Sequence, residues 1–124
     1  MAFEIEKTQK TPEIFFDSDK GLFKIQGAVF PENSEKFFSP VINFAKEYLL
    51  SPKPETTLEL YIIYFNTSSS KQVYEFIKLF DSAKDRTKVT VNWLYDEDDE
   101  DMEETGEEYN NFFTELPFNL LPQE

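Results

Sequence analysis

The stretch Tyr64-Phe65-Asn66-Thr67-Ser68-Ser69-Ser70-Lys71 is where a strand pattern gives way to a helical one. Before it, Leu58, Leu60, Ile62 and Tyr64 alternate with Glu59, Tyr61, Ile63 and Phe65. This period of two, apolar on both faces, predicts a buried interior strand. After it, Val73, Phe76, Ile77 and Phe80 fall at i, i+3, i+4 and i+7, one face of a helix expected over about residues 69–83. Four hydroxyl side chains, Thr67, Ser68, Ser69 and Ser70, occupy the junction. The first turn of a helix has unpaired N–H groups and a partial positive charge, so it takes a hydroxyl cap and tolerates a phosphate. Capping is the ordinary use of such residues and needs only one of them. The surplus makes this turn a candidate modification site.

Working outward toward the N-terminus, residues 52–54 read Pro-Lys-Pro and end a preceding helix, whose apolar stripe is Phe38, Val41, Ile42, Ala45, Tyr48 and Leu49. Pro40 interrupts that stripe. Either Ser39 caps the helix with Pro40 at its first position, or a turn over residues 33–38 joins it through a kink. Residues 13–16 and 22–28 are strand-like around a turn containing Gly21, and read as a hairpin. Residues 1–10 form a polar arm in which Phe3 and Ile5 have the spacing to pair at a sheet edge.

Toward the C-terminus, Val89, Val91, Trp93 and Tyr95 alternate as the next strand. Strand-helix-strand order implies crossovers between parallel strands, so the expected fold is a single small α/β domain spanning residues 1–124. Its mixed sheet would have four to five strands with helices packed on it. Residues 96–108 hold ten acids and no base, an acidic loop or helix that carries most of the net charge of −13. A solvated face is the common reason for such a run, and a docking surface for a basic partner is a second. A calcium loop fails on spacing, because Phe112 stands where the bidentate acid belongs. Residues 107–113 suit a helix, and residues 116–121 a last short strand or apolar clip.

Composition narrows the function. With 124 residues, 40% of them hydrophobic and 14 of them Phe, the chain can fill one core. The negative charge argues against nucleic acid or an anionic membrane as partner. There is no Cys and no His, which excludes thiol and imidazole catalysis, disulfides and Cys/His zinc sites. No signal-peptide pattern or membrane-length apolar run is present, and a cytoplasmic protein is expected. Ser68 and Lys71 match Ser-x-x-Lys, but the Ser-Asp-Asn and Lys-Thr-Gly elements that such hydrolases need are missing. A small hydrolase on Ser68 and Lys71, or a metal site on Asp96, Asp98 and Asp99, is therefore the alternative to a non-enzymatic binding or switching role without cofactor or metal.

Several phrases in order carry a family resemblance: Thr11-Pro12-Glu13, Phe30-Pro31-Glu32-Asn33, Phe37-Phe38-Ser39-Pro40-Val41, the Tyr64 to Lys71 stretch, Val91-Asn92-Trp93-Leu94-Tyr95-Asp96 and Gly106-Glu107-Glu108. Over about residues 11–120 the chain resembles the SiaC family of bacterial regulatory phosphoproteins. The resemblance implies a partner-switching protein similar in arrangement to STAS-type anti-sigma factor antagonists. In that scheme a dedicated Ser/Thr kinase phosphorylates it and a PP2C-like phosphatase restores it. The unphosphorylated form binds an output protein, a diguanylate cyclase in the best-known system. The phosphorylated threonine is the one after the Asn, here Thr67, with Ser68 and Ser69 as alternatives. Asn66, Ser68, Ser69, Ser70 and Lys71 are the expected partner-contact surface.

Overall fold

The computed structural model describes residues 1–124. The strands are β1 (Ala2–Ile5), β2 (Glu13–Asp17), β3 (Leu22–Val29), β4 (Glu55–Phe65), β5 (Lys88–Asp96) and β6 (Phe118–Gln123). The helices α1 (Ser34–Tyr48), α2 (Thr67–Asp81) and α3 (Glu100–Phe112) join the last four strands. All six strands form one sheet in sequence order. The first three are antiparallel neighbours, and β3 to β6 run parallel. Two strands beyond the core of the expected sheet account for the larger count. The arm pairs as β1, bringing Phe3 opposite Phe16 and Ile5 opposite Ile14, and the C-terminal apolar segment pairs as β6.

The register explains why these residues make one core. Phe3, Phe16, Phe23, Leu58, Val91 and Phe118 form one row across all six strands. Ile5, Ile14, Ile25, Leu60, Trp93 and Leu120 form the next. Both rows are apolar, and with period-two alternation both lie on one face. The helices cover that face: Phe76 of α2 stacks on Phe16 at 5.6 Å, Tyr48 of α1 meets Phe23 at 4.8 Å, and Tyr109 of α3 meets Trp93 at 5.3 Å.

The other face is open, which corrects the expectation that β4 is buried on both sides. Its middle row is Glu4, Phe15, Lys24, Glu59, Asn92 and Asn119. A Lys24–Glu59 ion pair at 3.3 Å and an Asn119-to-Asn92 hydrogen bond at 2.9 Å tie neighbouring strands there. A bulge also changes the phase of β4. Ile62 pairs with Gly27 while Tyr64 pairs with Ala28, so Ile63 is the extra residue. Tyr64 therefore turns to the open face, 53% exposed, and Phe65 instead of Tyr64 continues the helix-facing set of Leu58, Leu60 and Ile62.

Each helix starts on an Asn or Asp whose side-chain oxygen accepts from the N–H three residues on: Asn33 from Lys36, Asn66 from Ser69 and Asp99 from Met102. Asn33 resolves the Pro40 question. The helix is continuous from Ser34, and Pro40 lies inside it on the exposed side. In α2, Asn66 takes the cap, so the helix begins two residues earlier than the hydroxyl-cap reading expects. The acidic run supplies the Asp99 cap and most of α3, so it is mainly helix and not loop. Acids in the first turn suit the positive end of the helix dipole.

Candidate functional site

The turn from β4 into α2 is built from the bulge outward. Ile63 shifts the chain so that Phe65 tucks toward the helices, and Asn66 leaves the strand in extended backbone with its side chain aimed at the helix start. Asn66 Oδ1 accepts the Ser69 N–H at 3.0 Å, and the Asn66 carbonyl accepts the Ser70 N–H at 3.0 Å. That leaves the N–H groups of Thr67 and Ser68 as the unpaired donors of the first turn. Thr67 is the first helical residue and is exposed. The turn's side-chain hydrogen bonds are made by others: Ser68 Oγ donates to Asn66 Oδ1 at 3.4 Å and Ser70 Oγ to the Thr67 carbonyl at 2.7 Å. The Thr67 hydroxyl is thus free, beside two open N–H donors, in a first turn without an acid.

The neighbouring hydroxyls are not equivalent to it. Ser68 is exposed, Ser70 half-buried and Lys71 exposed, so these three share the surface with Thr67. Ser69 does not. It sits on the stripe with Val73, Phe76, Ile77 and Phe80, fully buried, and its Oγ has no hydrogen-bond partner. As an alternative phosphorylation or contact residue it is corrected: a 3.6-residue repeat carries it inward.

The alternative chemistries find no assembled site. Lys71 takes part in none of the ion pairs, and Ser68 Oγ bonds to Asn66 instead of Lys71. Asp96 accepts a short hydrogen bond from the Tyr61 hydroxyl, Asp99 caps α3, and nowhere do three carboxylates converge on a position able to hold a metal ion.

A groove beside the turn was not expected from the sequence. Phe65, Ser70, Lys71 and Tyr74 form one wall and Thr105, Glu108 and Tyr109 of α3 the other. The Tyr109 hydroxyl donates to the Ser70 carbonyl at 3.0 Å, fastening α3 to the first turn of α2. Burial pushes the Tyr109 phenol well above its ordinary pKa, with Glu108 adding to the shift, so it remains a donor at any ordinary pH. The sequence signal for this groove is the spacing of Asp101, Thr105, Glu108 and Phe112, which makes one side of α3.

The site is thus a surface-exposed hydroxyl turn with an acidic helix beside it on a small α/β domain. Comparisons with known proteins supply its class, a regulatory protein. The model of the SiaC family regulatory phosphoprotein matches residues 5–123. An uncharacterized protein of Pseudomonas aeruginosa strain UCBPP-PA14 is 34% identical over 106 residues, 85% of this chain and 84% of the relative. Among solved structures, a crystal structure of the diguanylate cyclase SiaD in complex with its activator SiaC from Pseudomonas aeruginosa matches with a TM-score of 0.91. There the identity is 31%, covering 98% of this chain and 99% of that one. Apo-SiaC from the same organism matches at 0.81 with 30% identity over 98% of each chain. The chain belongs to the SiaC family of regulatory phosphoproteins, and it is a regulatory protein, not an enzyme. No helix is long and apolar enough to cross a membrane.

Proposed function

We propose that this chain is a cytoplasmic phosphorylation switch acting through Thr67. A partner Ser/Thr kinase phosphorylates Thr67, a PP2C-like phosphatase removes the phosphate, and the unphosphorylated form binds and regulates an output protein such as a diguanylate cyclase. The observation that carries the reading is the exposed Thr67 at the first position of α2, its hydroxyl free of the turn's hydrogen bonds. The SiaC that this chain resembles is described as the activator of a diguanylate cyclase, which supports that class of output.

In the forward step Thr67 Oγ1 attacks the γ-phosphorus of ATP. The bond to the β-phosphate oxygen breaks, ADP leaves, and the hydroxyl proton passes to a base of the kinase. In the reverse step water displaces the threonine oxygen and inorganic phosphate is released. The product adds about −1.5 to −2 charge and three acceptor oxygens. The open N–H groups of Thr67 and Ser68 and the positive end of the helix accept that charge, so the fold tolerates it. A partner surface matched to neutral Asn66, Ser68 and Ser70 must instead desolvate a dianion. A loss of about 3 kcal/mol lowers affinity roughly a hundredfold, and that difference between states is what makes a switch.

The test is to incubate the chain with a Ser/Thr kinase from its own gene neighbourhood and ATP, then locate the phosphate by mass spectrometry. Phosphate on Thr67, and none on Thr67→Ala, is the expected result. Undiminished phosphorylation of Thr67→Ala would refute the assignment.

A further inference from the structure

We propose that the groove between α2 and α3 docks a positively charged segment of the output protein that carries one apolar anchor. The proposal rests on the switch reading above and adds to it a contact surface outside the hydroxyl turn. Phe112, on the α3 side of the groove, is 69% exposed, which is unusual for so large an apolar side chain. It stands edge-on to Tyr74 of α2 at 5.4 Å. Together the two rings make an apolar ledge with Glu108 at its edge, one turn earlier on the same side of α3, and Asp101 continues that side about three turns before Phe112.

Charge selects the occupant. The helix α3 carries six acids and no base, and none of the chain's five ion pairs uses a carboxylate of that helix. Its last turn has no basic residue to offset the negative end of the helix dipole, and Phe112 lies there. Lys or Arg from a partner would relieve this repulsion, pair with Asp101 and Glu108, and stack on the Phe112 ring. The open sheet face has exposed apolar residues too, Ile63, Tyr64 and Leu121, but its central charges and amides, Lys24 with Glu59 and Asn119 with Asn92, are paired with each other. Lys71, the groove's one cation, stands four residues from Thr67 and is the natural counter-ion for a phosphate there. Partner cations are thereby left to the α3 wall.

The experiment is calorimetric titration of the unphosphorylated chain with the diguanylate cyclase from its gene neighbourhood, at low and high salt. Variants are Phe112→Ala, the double substitution Asp101→Asn with Glu108→Gln, and Leu121→Ala on the open sheet face. Phe112→Ala is expected to weaken binding roughly tenfold or more, as loss of an aromatic anchor does. The double variant weakens it at low salt and flattens the salt dependence, while Leu121→Ala binds as wild type. Both groups are surface residues, and circular dichroism melting verifies that the variants fold. A cyclase that binds wild type, Phe112→Ala and the double variant equally overturns the groove and leaves the switch standing. A cyclase that fails to bind wild type overturns the switch with that output, and the proposed occupant with it.

Discussion

Two residues show how local sequence reading is overruled by what lies across the chain. By helix propensity Gly106, in the middle of α3, is a defect that Ala would repair by about 1 kcal/mol. A Cβ there would stand 2.5 Å from Trp93 Cδ1 and 2.8 Å from Leu120 Cδ2, and the Trp93 Nε1–H donates to the Met102 carbonyl at 3.0 Å. The helix lies this close to the sheet because Gly106 has no side chain. Gly106→Ala is therefore expected to destabilise the protein by about 1–3 kcal/mol, the usual cost of overpacking, and urea unfolding reads the sign directly. Ser69 gives the opposite case. Its hydroxyl is buried without a partner, which carries a desolvation penalty of about 1–3 kcal/mol. Ser69→Ala should raise the unfolding free energy by about 1 kcal/mol or more. A loss of stability would mean that the hydroxyl finds a bond that the structure does not record.

At the level of elements, the hairpin, the two central parallel strands and the stripes of α1 and α2 were legible because each follows its own period cleanly. The boundaries were not, and the reason is the same in α1 and α2. An Asn side chain takes the cap, and Asn33 and Asn66 outcompete the Ser and Thr residues that follow or the proline that seems to mark a start. The bulge at Ile63 was hidden for a different reason. Alternation in β4 is apolar on both faces, so a phase change leaves no mark in the pattern. Thr67 could be singled out only through the family resemblance. Periodicity, once the Asn66 cap is known, then separates it from Ser69. Asn66→Ala removes the acceptor for the Ser69 N–H and is expected to cost about 0.5–2 kcal/mol, measured by urea unfolding. Ser68→Ala, at a residue that does not cap the helix, should change stability by much less. Equal effects of the two would mean that the cap is shared.

Across the molecule, three strand-helix units place all helices on one side of the sheet and bring the first turn of α2 beside α3. Tyrosines help to close this arrangement, and they set its alkaline limit. The hydrogen bond to Asp96 raises the Tyr61 pKa, burial and then Glu103 raise that of Tyr95, and burial and then Glu108 raise that of Tyr109. Each phenol holds its proton more tightly in the folded chain than in the unfolded one, whose value is the ordinary 10.0. Above that pH the unfolded state binds fewer protons than the folded state, so the slope of unfolding free energy with pH is negative. The contribution is fully present below about pH 10 and is lost as pH rises toward the folded-state values. Of the three, Tyr109 is the one bonded to the first turn of α2, through the Ser70 carbonyl. Melting followed from pH 8 to pH 11 should therefore show a falling limb that is shallower in Tyr109→Phe, which lacks the ionisable group. An identical limb in the variant would assign the alkaline transition to other residues and leave the α2–α3 junction intact through it.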